Sequence, residues 1–262
     1  MEYDYWQRQK TGKPLFPDIE WSKPEQRSMA GKLGIVGGNK LGFAAIAESY
    51  SLAFTVGAGE VRVLLPDVLK KSIPTTITDT AFAESNRSGS LAQSGSNDML
   101  ALGSWADMIL LVGDAGRNSE TAIAYETFIA GYSGPLVITR DAVDLIKNGS
   151  NQLVNRPNTL LVMSFAQLQK LFQLVYYPKM LAFSMQLTNL VEAVHKFTIT
   201  YPVSLMVLHK DHLIVAHDGK VTTTEWDSPM SIWRGHVATR AAVYWMWNQK
   251  TTLEAVTASL IT

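Results

Sequence analysis

GKLGIVGGNKLGFAAIAESYSLAFTVGAG, residues 31–59, is the stretch from which the fold is read. A short apolar run, Leu33 to Val36, predicts a buried strand that enters a turn at Gly37-Gly38. Phe43, Ile46, Ala47, Tyr50, Ala53 and Phe54 then fall at helical spacing, and Gly57 and Gly59 close the segment. A strand, a glycine turn and a helix in this order can set a phosphate or nucleotide against backbone N–H groups at the helix N-terminus. The stretch therefore predicts small-molecule binding in an α/β protein, without naming the ligand.

The same alternation continues outward. Val61 to Leu65 reads as the next strand, stopped by Pro66, and Met108 to Val112 as a buried one. Leu136 to Ile138 and Leu160 to Met163 follow, separated by helical patterns from Asn118 or Ser119 and from about Ala142. Further helical patterns cover roughly 165–176 and 179–196, and the Ser/Gly-rich stretch 84–98 reads as a mobile loop. From Val203 the texture changes to successive strands, 203–208, 213–216 and 221–225, with a hairpin turn at Asp218-Gly219. Helices near 236–248 and 252–260 end the chain. This order predicts a mainly parallel sheet with helices on both faces and a C-terminal β-hairpin. Residues 1–30, rich in proline and aromatics, read as an arm lying on the domain or on a neighbouring subunit, and 31–262 as one domain.

Composition narrows the function classes. Lysine plus arginine equals aspartate plus glutamate at 23 each, so no nucleic-acid surface or polybasic membrane patch is expected. No apolar run approaches the ~20 residues that span a bilayer, and the N-terminal MEYDYWQRQKTGK is unlike a signal peptide. The absence of cysteine excludes thiolate chemistry and suits a cytoplasmic location. The histidines show no metal-ligand spacing, so no protein-bound transition metal is expected. Seven tryptophans, several near the two ends, suggest packed termini or self-association into a homo-oligomer.

Candidate site residues sit after strands, where open α/β sheets bind ligands. Asn39 and Lys40 flank the glycine turn, either meeting a ligand or serving only the turn. GDAGRNSET, residues 113–121, follows a buried strand and gathers Asp114, Arg117, Asn118 and Glu120, with Gly113 and Gly116 allowing close backbone approach. In that loop Asp114 or Glu120 could supply a base and Arg117 a phosphate ligand, while a capped helix start is the plain alternative. Asp141 follows the next strand and also reads as the N-cap of a helix. Gly235 and His236 stand at a helix start, where a histidine is either a base, an anion ligand or purely structural.

With these residues placed, the chain resembles the ADP- or ATP-dependent NAD(P)H-hydrate dehydratase family of the ribokinase-like superfamily over about residues 31–260. Gly37-Gly38-Asn39, Ala44-Ala45 and Gly57-Ala58-Gly59 match the family's Gly-Gly-Ser, Gly-Ala and Gly-Ala-Gly in register. Its Gly-Pro-Gly-Leu-Gly is met by Val112-Gly113-Asp114-Ala115-Gly116, and its Asp-Ala-Asp-Ala by Thr139-Arg140-Asp141-Ala142. Ser164 stands for the family's substrate-contacting histidine. Leu208-His209-Lys210-Asp211-His212 stands for Lys-Gly-x-x-Thr, with the lysine displaced. Trp233-Arg234-Gly235-His236 replaces Gly-Thr-Gly-Asp, so one glycine remains and His236 takes the place of the catalytic aspartate.

The resemblance implies a ribokinase-like three-layer sandwich. It implies substrate contacts at Asn39, Ala45, Gly113, Asp114 and Ser164, nucleotide contacts at Lys210, His212, Arg234 and Gly235, and catalysis at Gly235 and His236. It also implies ADP or ATP with Mg²⁺, the ion held partly by water, and a hydrated NAD(P)H as substrate. The altered motifs leave two alternatives: a catalytically inactive nucleotide- or dinucleotide-binding relative, and a small-molecule kinase of the same superfamily.

Overall fold

The computed structural model describes residues 3–10 and 12–261. In chain order the elements are β1 (Trp6–Gln9), α1 (Asp18–Trp21), β2 (Lys32–Gly37), α2 (Ala44–Val56), β3 (Glu60–Pro66), β4 (Thr80–Ala83), α3 (Gly95–Trp105) and β5 (Met108–Gly113). Then come α4 (Ser119–Gly131), β6 (Leu136–Thr139), α5 (Asp141–Leu145), α6 (Ser150–Val154), β7 (Thr159–Ser164), α7 (Phe165–Leu174) and α8 (Leu187–Thr200). The chain ends with β8 (Ser204–His209), β9 (His212–His217), β10 (Lys220–Glu225), α9 (Pro229–Trp233), α10 (His236–Trp247) and α11 (Thr252–Ala258).

All ten strands form one sheet in the order β1-β10-β9-β8-β7-β6-β5-β2-β3-β4. From β4 to β8 every pairing is parallel, whereas β9 is antiparallel to both β8 and β10. Met108 to Val112 of β5 are fully buried, as an unbroken apolar run in a doubly covered strand requires. Hydrophobic clusters cover the two faces, one packed by α3–α8 and the other by α2, α10 and α11. The order reverses between β2 and β5, so the loops after these two strands open onto the same crevice.

Two sequence expectations change, and the arm gains a strand. Residues 84–94 are an anchored loop rather than a mobile one. Buried Asn86 accepts from Ser88 N and Ser90 N and donates to Leu91 O and Thr121 Oγ1, while Leu91 enters the core. Composition marked a loop, but tertiary hydrogen bonds hold it. Residues 179–186 are not helical, since Tyr176 takes a positive φ of 52° and Pro178 follows, and α8 starts only at Leu187. The arm joins the sheet: β1 pairs in parallel with β10, with Trp6 opposite Val221. It is tied down by Gln9 Nε2 donating to Thr257 O and by Tyr244 Oη donating to Glu20 Oε1. Among the described residues no helix is long and apolar enough to cross a membrane.

Candidate functional site

The carboxyl ends of β2 and β5 approach each other unusually closely. A Cβ on Gly37 would lie 2.2 Å from Gly113 O, and Gly38 N donates to that same oxygen at 3.0 Å. Gly38 takes φ +82°, which only glycine adopts without strain, and the chain then turns into α2. Asn39 spans the crevice: its Oδ1 accepts from Leu41 N at 2.7 Å and its Nδ2 donates to Asp114 O.

Asp114 is the hub. Its own φ is +53°, a conformation that aspartate tolerates better than most residues. Oδ2 accepts from Ala45 N at 3.0 Å, in the first turn of α2, and Oδ1 accepts from Arg140 Nη2 at 2.7 Å. Asp141 supports it from below, accepting from Asp114 N at 2.8 Å and Ala115 N at 3.1 Å. Burial, with the nearby Asp114 charge, pushes the Asp141 carboxyl up, against the Asp114 N–H bond, Arg140 and its own backbone N–H, which pull it down. Asp141 thus braces a neighbouring loop, and Arg140 takes the N-cap position of α5 in its place.

The opposite wall is the start of α10. Gly235 takes φ +83°, and a Cβ there would meet Val112 Cγ2 at 2.8 Å and Arg140 Cδ at 3.8 Å. Arg140 therefore lies between Asp114 and the helix start, and its Nη1 is buried without a partner. His236 Nε2 stands 2.7 Å from Glu48 Oε2 on α2, both side chains about a third exposed. When Nε2 carries the hydrogen it donates to the Glu48 carboxylate, and Nδ1 is then the ring nitrogen left for other partners. His236 opens onto a cleft of about 870 Å³ that also carries Asp211, Glu225, Trp226, Asp227 and Arg240.

The other expected residues are spread more widely. Ser164 caps α7 in a reciprocal box with Gln167, whose Nε2 donates to Arg140 O. Lys210 sits in the β8–β9 turn and donates to Met185 O. His212 pairs with Asp211 and lines a groove with Thr223, whereas Thr224 lines the His236 cleft. Glu225 lines both cavities, and Asp211, the partner of His212, lines the His236 cleft, so the two adjoin at the end of β10. Arg234 is exposed. Gly116 is packed against Ser90 Oγ, and Asn118 caps α4 by accepting from Glu120 N, with Arg117 and Glu120 exposed. Of the polar loop cluster, only Asp114 engages the crevice described above.

Arg140 and Glu48 were missed in the sequence. Glu48 had a usable signal, being the only charged residue of α2. Arg140 precedes Asp141 in the sequence, and its φ of +58° is set by the tertiary structure.

No family model and no curated protein matches this sequence. Solved structures do. A ribokinase-like superfamily protein from Enterococcus faecalis superposes with a TM-score of 0.73 at 14% identity, covering 99% of this chain and 86% of that one. The fold is ribokinase-like. An ADP/ATP-dependent NAD(P)H-hydrate dehydratase from Bacillus subtilis, co-crystallised with ATP and Mg²⁺, gives 0.57 at 8% identity, covering 94% and 86%. A pyridoxal kinase from Staphylococcus aureus, in complex with AMP-PCP and pyridoxal, gives 0.53 at 13%, covering 87% and 84%. In this ribokinase-like frame the crevice lined by Asn39, Ala45, Asp114 and Gly235 lies at the carboxyl edge of the central strands.

Proposed function

We propose that the chain is a divergent nucleotide-dependent enzyme of the NAD(P)H-hydrate dehydratase type, with His236 as its base. The observation that carries this reading is the His236–Glu48 pair at 2.7 Å, placed at the start of α10 beside Gly235. A carboxylate that fixes the tautomer and stabilises the imidazolium is the usual support of a histidine base. His236 would take the proton of a substrate hydroxyl as that oxygen attacks a nucleotide phosphoryl group. The new O–P bond forms as the bond to the nucleotide's leaving oxygen breaks. The resulting phosphate then leaves its carbon with the bonding pair while the adjacent carbon loses a proton, so that the C–H electrons form the double bond and complete the dehydration.

The cleft beside His236 fits a magnesium nucleotide better than a free one. Three carboxylates face one guanidinium there, so a bare polyphosphate would be repelled. Asp211 and Asp227 are the residues suited to hold the ion or its waters, and Trp226 offers a ring for a base.

A second reading, a non-catalytic nucleotide binder, is favoured by Arg140, which presses against the helix start where the resembled family has open glycines. One experiment separates the two. The purified protein is incubated with hydrated NADH and ADP or ATP, with and without Mg²⁺, and absorbance at 340 nm is followed. Recovery that needs Mg²⁺, and that falls about 10²–10⁴-fold in His236→Ala and less in Glu48→Gln, supports the enzyme. No recovery, with nucleotide still raising the melting temperature, supports the binder.

A further inference from the structure

A groove of about 610 Å³ runs outside the crevice, between α4 and α5 and up to α7. Its floor is apolar, made by Ala122, Ile123 and Leu145, and Ile123 is left 42% exposed there. Its size and apolar floor match those of small-molecule sites.

The charges around this floor are unequal in their commitments. All three carboxylates are already engaged by the protein. Glu126 Oε1 accepts from Gly149 N at 3.1 Å, and Asp141 accepts from the two backbone N–H groups described above. Asp144 holds Lys170 Nζ at 3.2 Å and Gln167 Nε2 at 2.9 Å. Arg117 and Lys147, by contrast, are exposed and make no ion pair among the described residues. The groove therefore offers a ring-sized apolar floor and two uncommitted cations. Arg117 comes from the loop before α4 and Lys147 from the segment after α5, so the two approach from separate elements.

We propose that this groove is a second small-molecule site, taking a phosphate-bearing molecule with an aromatic or apolar ring, of mononucleotide size. The ring lies on Ile123 and Leu145, and the phosphate meets Arg117 and Lys147. A guanidinium can hold two phosphate oxygens at once, while a lysine adds a point charge. The site uses none of the His236 machinery; because the His236 cleft is itself proposed to take a nucleotide, the test compares variants at both places.

The probes are AMP, inorganic phosphate and adenosine, titrated separately by calorimetry into the full-length protein and into Arg117→Glu, Lys147→Glu, Ile123→Glu and His236→Ala. The three groove positions are exposed, and unchanged melting temperatures check that those variants fold. Expected is saturable AMP binding, weakened about tenfold or more by each groove substitution and unchanged in His236→Ala, with phosphate and adenosine each binding far more weakly. The proposal is overturned if AMP does not saturate by about 10 mM, if the groove variants bind it like wild type, if His236→Ala abolishes it, or if either fragment binds as tightly as AMP.

Discussion

Asp114→Asn tests the hub of the candidate site with little backbone disturbance. Asparagine tolerates the φ of +53° at this position, and its side-chain oxygen can still accept from Ala45 N. What is lost is both the charge and the acceptor opposite Arg140 Nη2 at 2.7 Å, because an amide that keeps its oxygen on Ala45 N turns its NH2 toward the arginine. The side chains are 22% and 19% exposed, so the arginine would be left largely desolvated, with Nη1 already lacking a partner. Breaking a fully buried pair costs about 3–5 kcal/mol, and solvent access to a fifth of each side chain lowers the expectation to about 2 kcal/mol. That corresponds to a fall in melting temperature of about 4–8 °C for a chain of this size. Arg140→Met removes the partner, and the double variant should recover part of the loss, giving a coupling energy of about 1–2 kcal/mol. Urea denaturation of the four proteins measures it. A coupling below about 0.3 kcal/mol would refute the view that this pair holds the crevice together.

Two further outcomes are expected. Gly37→Ala should cost about 2–4 kcal/mol, because its Cβ would lie 2.2 Å from a backbone oxygen, whereas Gly42→Ala, with nothing within 4 Å, should stay within about 0.5 kcal/mol; chemical denaturation compares them. Burial lowers the pKa of His217, so the unfolded chain binds its proton first as pH falls; stability should drop from the ordinary histidine value of about 6.5 down toward the depressed folded one, and His217→Gln should flatten that slope in melts across the range.

Much of the fold was legible because it rests on local pattern. The run Leu33 to Val36 and the helix-period residues after it became β2 and α2, and the hairpin signal at Asp218-Gly219 became the β9–β10 turn. Asn118 was legible as a helix start because asparagine before Glu120 satisfies a free N–H at the first turn. The edge strand β1 was not, since four residues of mixed polarity pair with a partner more than two hundred positions away. Nor was the anchoring of 84–94, where a Ser/Gly composition that usually marks mobility is overridden by Asn86 and Leu91.

The candidate site divides along the same line. Glycines at 37, 38, 113 and 235 could be picked out as backbone approaches, because a missing Cβ is written in the sequence. Which groups then face one another could not. Asp141 looked like a cap and instead braces Asp114. By itself the sequence determined the alternation of strands and helices and the points where backbones can touch. The pairing of Arg140 with Asp114 and of His236 with Glu48 was decided only by the tertiary structure. Each joins residues on separate elements, the second across 188 positions, and hydrogen bonding depends on distance in space rather than along the chain.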